Sequence, residues 1–182
     1  MKQKLLLHSC CGPCSTTAIT RLSQEYDVTV YYYNPNIYPE EEFIKRQETQ
    51  KQFLQKYNPE IKLIEGVWEN NEYEDIIKGF EGSVEGGERC KYCFLLRLSK
   101  TANLAKTQNY DLFATTLTVS PHKNAKLINE IGSEVGAKVG VEYLPSDFKK
   151  QDGYLQSIKM SKEYDLYRQN YCGCKYSIWW EK

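Results

Sequence analysis

Short apolar runs alternate with amphipathic segments along this 182-residue chain, and this alternation limits the folds it can adopt. The apolar runs are rich in β-branched and aromatic residues, which is typical of buried strands, and the segments between them have helical spacing. Strands are predicted at residues 4–8, 28–33, 61–64, 112–116 and 141–144. Strands that alternate with helices indicate a parallel sheet covered on both faces.

The helical segments and the absence of linkers or repeats complete the predicted architecture. Helices are predicted at residues 15–24, 40–57, 71–80, 88–107 and 161–170, with another opened by Ser120-Pro121 and a loop at 145–154. We therefore expect an α/β fold with a doubly wound, mostly parallel sheet and a helical insertion that carries cysteines, in one domain over residues 1–182. Ligands of such sheets bind at the carboxyl ends of the strands, which here are followed by residues 8–14, 33–36 and 116–123.

Net charge and hydropathy say more about the cellular location of the chain than about its binding partner. The 24 basic and 24 acidic residues cancel, so net charge neither predicts nor excludes a nucleic-acid partner. The apolar run near the N-terminus is too short for a signal peptide, and no stretch approaches the roughly 20 apolar residues of a membrane span. We expect a cytoplasmic protein with no membrane contact.

Seven cysteines in a cytoplasmic chain indicate metal or redox chemistry rather than structural disulfides. Cys10, Cys11 and Cys14 follow the first predicted strand, while Cys90 and Cys93 lie near the start of a long predicted helix. The N-terminus of a helix favours thiolates because its free N–H groups and dipole lower their pKa. Two such groups, distant in sequence, can converge on one metal centre.

The spacing leaves two kinds of metal centre open. The pairs Cys11-x-x-Cys14 and Cys90-x-x-Cys93 match a structural zinc site, as in a zinc-stabilised nucleic-acid-binding module without catalysis. Adjacent cysteines such as Cys10 and Cys11 suit an iron–sulfur cubane, because neighbouring thiolates can reach different irons. The position at the ligand-binding edge of the sheet, and a chain long enough to fold without a metal, favour iron–sulfur over zinc.

Cys172-Gly173-Cys174 is a separate signal near the end of the chain. With glycine between them, the two cysteines can approach disulfide range in a tight turn, and so small a ring is easily reduced. This favours a redox-active pair, while free thiols or additional metal ligands remain alternatives.

Two further enzyme classes fit the sequence less well. An ATP pyrophosphatase needs a phosphate loop rich in glycine and serine after the first strand, but residues 9–14 contain one glycine and a proline. A thiol–disulfide oxidoreductase acting through Cys11 and Cys14 would leave Cys90 and Cys93 without a role.

Four motifs in this order resemble the epoxyqueuosine reductase QueH family, the cobalamin-independent type, over essentially the whole chain. They are His8-Ser9-Cys10-Cys11-Gly12-Pro13-Cys14, Arg89-Cys90-x-x-Cys93-Phe94-x-x-Arg97-Leu98, Thr115-Thr116-Leu117-Thr118-x-Ser120-Pro121-x-Lys123-Asn124 and Tyr167-Arg168-Gln169-x-Tyr171-Cys172-Gly173-Cys174. Each motif alone is weak, but together they are specific.

The resemblance implies a fold like that of the adenine-nucleotide α-hydrolases and a defined redox chemistry. It implies a [4Fe-4S] cluster and a redox-active disulfide between Cys172 and Cys174. The implied reaction is the reduction of the epoxide of epoxyqueuosine, at the wobble position of tRNA, to queuosine, with electrons from an unidentified donor. The cysteines that match the cluster ligands of the family are Cys10, Cys11, Cys90 and Cys93.

Other residues are candidates for a second metal, for proton transfer and for tRNA. Some family members carry Asp at the position of Cys14, where an additional mononuclear iron has been associated, and a thiolate can serve as well. His8 is a candidate catalytic residue, as a proton donor or a partner of a cluster sulfide, or else it only orients its loop. Stacking and phosphate contacts are the usual means of recognising single-stranded RNA. The substrate-binding candidates are Tyr33, Asn34 and Asn36 for the base, and Arg97, Lys123, Arg168 and Lys175 for phosphates. The alternative for Arg97 is an ion pair that fixes the helix carrying Cys90 and Cys93. The alternative for the lysines is that they lie on a solvated surface.

Overall fold

Five parallel strands form the single sheet of the residues that the computed structural model describes, 1–177. Their spatial order is β3-β2-β1-β4-β5, and every pairing between neighbours is parallel. The strands are β1 (Lys4–Ser9), β2 (Asp27–Tyr32), β3 (Lys62–Glu65), β4 (Leu112–Thr115) and β5 (Glu142–Tyr143). The chain therefore winds outward from β1 in both directions, and the switch point between β1 and β4 is where such sheets bind ligands.

Helices cover both faces of the sheet, as the sequence predicts. They are α1 (Gly12–Leu22), α2 (Glu40–Tyr57), α3 (Asn70–Ile76), α4 (Glu88–Thr107), α5 (Ala125–Val139) and α6 (Gly153–Glu163), with a 3-10 turn at Thr116–Val119. Side chains of successive strand residues point to opposite faces. Leu5 and Leu7 accordingly pack beneath α1, α2 and α6, whereas Leu6 packs beneath α4 and α5. None of the described helices combines the length and the apolar character needed to cross a membrane.

All five predicted strands and the helices at 40–57 and 88–107 are confirmed, with strand bounds that differ by one residue at most ends. Four helix predictions are wrong in their bounds. The helix predicted at 71–80 ends at Ile76, shortly before Gly79 adopts a left-handed conformation (φ 89°). The first helix begins at Gly12 rather than at residue 15, because Cys11 supplies the N-cap. Ser120-Pro121 does not open a helix: α5 begins at Ala125, and the Asn124 side chain accepts a hydrogen bond from the backbone N–H of Leu127 at 3.1 Å.

The helix predicted at 161–170 lies earlier in the chain, at Gly153–Glu163. It ends where Asp165 adopts a left-handed conformation (φ 53°), and the backbone N–H of Leu166 donates to the carbonyl of Ser161 at 2.8 Å. Such a left-handed residue closes a helix by satisfying its last carbonyls. Residues 166–177 then cross the carboxyl edge of the sheet, where Gln169 reaches Cys11.

Candidate metal centre and active site

Cys10, Cys11 and Cys14 gather at the junction of β1 and α1. Their sulfur atoms all lie within 4.8 Å of one another, close enough to hold a metal ion together. The Cys11 sulfur caps α1 by accepting from the backbone N–H of Cys14 at 3.4 Å. This group is the most compact set of potential metal ligands within residues 1–177.

The three thiols differ in the direction in which their pKa values are shifted. Hydrogen bonds from the other two thiols, helped by Lys123, hold the pKa of Cys10 well below its usual range despite burial. The same hydrogen bonding to Cys10 raises the pKa of Cys11 to about 12 and that of Cys14 well above its usual range. The lowered pKa favours the thiolate form of Cys10, and thiolates are the form that binds metals.

Two polar side chains from distant parts of the chain also contact this group. The Gln169 amide donates to the Cys11 sulfur at 2.9 Å. The Thr116 hydroxyl lies 3.4 Å from the Cys10 sulfur and accepts from the Cys10 backbone N–H at 3.1 Å. The residues that follow β1, β4 and α6 thus meet at one place.

A second group of cysteines lines a small cavity beside the first turns of α4. Cys90 and Cys93 lie on these turns, as predicted, and the Cys90 sulfur accepts from the backbone N–H of Gly86 at 3.2 Å. Burial raises the pKa of Cys90 and raises that of Cys93 to about 12. Cys172 and Cys174 complete the sulfur lining of this cavity of about 90 Å³. All seven cysteines are free thiols in the structure.

A much larger cavity of about 600 Å³ adjoins the small one at the carboxyl edge of the sheet. Cys10 and Cys14 lie on its wall, and Cys172 lines both cavities together with Arg97 and Lys123. The structure therefore places cysteines from both predicted stretches on the walls of adjoining cavities, at the switch point of the sheet.

Arg97 lies between the two groups of thiols. Only 2% of Arg97 is exposed, and of its nitrogens Nη1 donates to Asn34 Oδ1 at 3.3 Å, while Nε and Nη2 have no partner among the described residues. Burial alone would lower the arginine pKa, but the nearby sulfurs of Cys93 and Cys172 outweigh it and raise the pKa. A buried guanidinium with two unpartnered nitrogens beside thiols can compensate negative charge in this cavity.

Lys123 supplies a second cation at the same place. Burial acts to lower its pKa, but the thiols of Cys172 and Cys10 outweigh that effect and raise it. The larger cavity also contains Arg46 and Arg168, against a single acidic side chain, Glu85. The cavity is thus cationic although the chain as a whole is neutral.

Arg46 on α2 fixes the segment that carries Cys172 and Cys174. Its guanidinium donates to the carbonyls of Tyr171 and Cys172, at 3.3 and 3.1 Å, and to Glu42 at 2.7 Å. Gly173 passes so close that a Cβ there would lie 2.9 Å from Arg46 Nη1, and its φ of +112° also favours glycine. The glycine of the Cys-Gly-Cys motif is therefore required by both conformation and space.

His8 is fully buried at the end of β1, and both of its ring nitrogens are engaged. Nε2 lies 2.9 Å from the carbonyl of Tyr33, so it carries the proton, and Nδ1 accepts from the Thr115 hydroxyl at 2.9 Å. Burial, followed by the charge of Arg97, lowers the pKa of His8 to about 4, which keeps the ring neutral. These contacts favour the orienting role over proton donation, and the predicted catalytic role stays a prediction.

The candidate substrate residues separate into two sets. Asn34, Asn36, Arg97, Lys123 and Arg168 all line the large cavity. Tyr33 does not: it is buried, and its hydroxyl donates to Glu72 at 2.8 Å. The strand alternation explains this difference, because Tyr33 points into the core beneath α4 while the next residue points to the cavity. Lys175, the remaining phosphate candidate, pairs with Glu74 at 2.9 Å.

Sequence reasoning missed four residues of the site. Thr116 and Gln169 belong to the quoted motifs, so their position beside cysteines was a usable signal. Arg46 is a buried cation in an otherwise amphipathic helix, and Tyr73 is one of 15 tyrosines, so neither stands out in the sequence.

Comparisons with known proteins show similarity over nearly the whole chain. The family model described as "Epoxyqueuosine reductase QueH" matches residues 5–179. The chain belongs to the epoxyqueuosine reductase QueH family. Among its relatives of that name, one from Streptococcus pyogenes serotype M1 is 44% identical over 97% of this chain and 71% of the relative. One from Staphylococcus epidermidis is 43% identical over 97% and 76%, and one from Thermotoga maritima is 34% identical over 96% and 90%.

The donor chemistry fits the iron–sulfur centre that membership of the QueH family implies. Thiolates are soft ligands, which favour iron–sulfur clusters and zinc over hard cations. Six of the seven cysteines line the two cavities, and Arg97 and Lys123 provide positive charge beside them. Cys10, Cys11 and Cys14 are the ligands that the geometry groups most tightly, while the four-cysteine ligand set stays a prediction.

Proposed function

We propose that this chain is an epoxyqueuosine reductase, which reduces the epoxide of epoxyqueuosine in tRNA to the cyclopentene of queuosine. The observation that carries the proposal is the junction of two cavities, one lined by thiols and one lined by cations. The thiols supply a reducing environment, and the cations suit an anionic substrate such as tRNA. The substrate implies that the enzyme works in the cytoplasm, where tRNA is modified.

The proposed ligands of a [4Fe-4S] cluster are Cys10, Cys11, Cys90 and Cys93. When bound, such a cluster supplies single electrons. Cys14 lies beside Cys10 and Cys11, so it is the proposed ligand of an additional mononuclear iron. Arg97, with two nitrogens that have no partner among residues 1–177, offers hydrogen bonds to the negative charge that four thiolates bring to this place.

The Cys172 and Cys174 thiols supply the two electrons and two protons that the reaction needs. The epoxide and the two thiols become an alkene, one disulfide and one water molecule, so atoms and electrons balance. The oxygen leaves as water after taking both protons. An external electron donor must then reduce the disulfide before the next turnover.

In this scheme the modified nucleotide of the tRNA lies in the large cavity. Arg168 and Lys123 are placed to hold phosphates near the modified nucleotide, because both line the cavity and neither forms an ion pair in residues 1–177. Asn36 lies deeper, with its Oδ1 unpartnered among the described residues, and can accept a hydrogen bond from the modified base.

Anaerobic purification tests the metal centre. We expect a brown protein that contains iron and acid-labile sulfide, with one more iron than sulfide per chain when the additional mononuclear iron is bound, and with a spin-resonance signal after reduction. Replacing Cys93 by Ser should lower both contents, because a ligand from the second cysteine group is lost. A colourless protein that contains zinc alone would refute the proposal and favour a structural zinc site.

Turnover of tRNA that carries epoxyqueuosine tests the reaction itself. We expect queuosine in the nucleoside digest when a reductant is present. The double variant Cys172→Ser/Cys174→Ser should keep its iron and lose turnover. Full turnover by this variant would remove the dithiol from the mechanism.

A further inference from the structure

Tyr73 on α3 contacts the less accessible sulfur of the Cys172/Cys174 pair. Its hydroxyl donates to the Cys174 sulfur at 3.0 Å. Only 1% of Tyr73 is exposed, and its ring packs with Ile77, Cys93 and Cys174 in a small apolar cluster. A buried phenol normally has a hydrogen-bond partner, and here that partner is a redox-active sulfur rather than a backbone carbonyl.

The two cysteines of the pair differ in access. Cys172 is half-buried and lines both cavities, so a molecule in the large cavity can reach it. Cys174 is 5% exposed and lines only the small cavity. Thiol–disulfide exchange proceeds by attack on one chosen sulfur, and access decides which sulfur is attacked.

We propose that Cys172 is the sulfur attacked when the disulfide is reduced, that Cys174 is the leaving sulfur, and that Tyr73 is a catalytic residue that donates a hydrogen bond to Cys174 as it leaves. This inference rests on the proposed function in one respect, namely that Cys172 and Cys174 form a disulfide during turnover. It adds which of the two sulfurs is attacked and which one leaves. It also adds Tyr73, a residue outside the four motifs.

The exchange step balances with a thiol as the reductant. The thiolate of the reductant attacks Cys172 Sγ, a mixed disulfide forms, and the bond between the two cysteine sulfurs breaks. The electron pair goes to Cys174 Sγ, which leaves as a thiolate and then takes a proton from solvent. A second molecule of the reductant attacks the mixed disulfide at the sulfur that came from the first. This attack releases Cys172 as a thiolate, which also takes a proton.

The Tyr73 phenol is in the form that donates, because a tyrosine with its ordinary pKa of about 10 is protonated at neutral pH. A hydrogen bond to a charged acceptor is roughly twice as strong as one to a neutral acceptor. The contact consequently strengthens as charge develops on the leaving sulfur.

Removal of the hydroxyl tests this role. The anaerobically purified enzyme is oxidised at the pair, and reduced glutathione is added without tRNA. Acid quenching, differential alkylation and peptide mass spectrometry follow the pair over time. We expect Tyr73→Phe to slow reduction about tenfold, since one hydrogen bond to the leaving thiolate is lost. The control Tyr143→Phe removes another buried phenol, which donates to Asn129 at 3.0 Å and lies away from the cysteines. It should react at the wild-type rate.

Trapping of the mixed disulfide tests the direction of attack independently of Tyr73. With glutathione disulfide, Cys174→Ser should form an adduct on Cys172 at least tenfold faster than Cys172→Ser forms one on Cys174. A faster adduct on Cys174, or reduction of Tyr73→Phe at the wild-type rate, would overturn the inference. So would a wild-type enzyme that never forms the disulfide.

These measurements contain no tRNA, so they separate this inference from the proposed function. An enzyme that shows the expected exchange but does not convert epoxyqueuosine would contradict the proposed function alone. An enzyme that converts epoxyqueuosine but reacts first at Cys174 would contradict this inference alone.

Discussion

Two asparagines at the end of β2 line the same cavity but differ in what holds them. Asn34 donates from Nδ2 to the carbonyl of Ser9 at 2.8 Å and accepts from Arg97, so it fastens β2 to β1 and α4. Asn36 is 1% exposed, yet its Oδ1 has no partner in residues 1–177. A buried acceptor left unpaired is costly, and a ligand that supplies a donor removes that cost.

Replacing each asparagine by leucine should therefore separate stability from substrate affinity. Asn34→Leu should lower the free energy of unfolding by about 1–3 kcal/mol, because buried partners lose their hydrogen bonds. Asn36→Leu should leave the free energy of unfolding nearly unchanged and raise KM for the tRNA about 2- to 10-fold, the worth of one neutral hydrogen bond. Urea unfolding and steady-state kinetics measure both. Equal losses of stability in the two variants would contradict the distinction.

The sequence predicts site residues that belong to a motif. It does not predict those whose role depends on contacts between distant parts of the chain. Six of the seven cysteines, Arg97 and Lys123 belong to motifs and line the cavities. Tyr33 and Asn34 are neighbours in sequence, but the alternation of the strand sends one to the core and the other to the cavity. The hydrogen bond from Tyr73 to Cys174 joins residues 101 positions apart, which no local pattern reports.

At the scale of elements, the start of α1 positions the sulfurs of Cys11 and Cys14. Gly12 begins the helix and approaches α2 so closely that an added Cβ would lie 2.9 Å from Thr49 Cγ2 and 3.1 Å from the Thr49 backbone. Cys11 and Cys14 flank this contact. The close approach of α1 and α2 therefore fixes where the two sulfurs lie.

Gly12→Ala should move the start of α1 and disturb the thiols. We expect a loss of about 1–3 kcal/mol in the free energy of unfolding, as for other overpacked sites, together with a lower iron content. Gly82→Ala is the matched control, because nothing lies within 4 Å of a Cβ added there. Chemical denaturation and iron analysis measure the effects. A Gly12→Ala protein as stable and as rich in iron as the control would show that the contact is not restrictive.

Helix bounds were predicted well where hydrophobic periodicity determines them. They were predicted poorly where a capping residue determines them. The bounds of α2 and α4 follow from their sequence periodicity. The start of α1 depends on a cysteine acting as N-cap, which is not among the preferred capping residues. The end of α6 depends on Asp165 in a left-handed conformation, which only the packing of Leu166 into the core explains.

At the scale of the whole molecule, the alternation of strands and helices was enough to predict the parallel sheet and its ligand-binding edge. The order of the strands, with β1 at the centre, is what brings the segments after β1, β2 and β4 together. Neutral net charge gave no indication of the cationic cavity, because the sequence total does not report where charges lie. That a single domain covers residues 1–182 stays a prediction.

The separation of charge within a neutral molecule leads to a prediction about tRNA binding. A neutral protein has no general attraction for RNA, so binding should depend on the few cations of the large cavity. Each contact between a cation and a phosphate of single-stranded RNA contributes about 0.7 to the negative slope of log K against log salt concentration. Lys123 lines this cavity, whereas Lys126, one turn along on α5, is 86% exposed and points to solvent.

Lys123→Met should therefore weaken tRNA binding and make the slope shallower by about 0.7, because one phosphate contact is lost. Lys126→Met removes the same charge from the same region of the chain and should leave the slope unchanged. Binding measured by fluorescence anisotropy across a range of salt concentrations gives both values. If the two variants changed the slope equally, attraction would come from overall charge, and the cavity could not be the place where the phosphates bind.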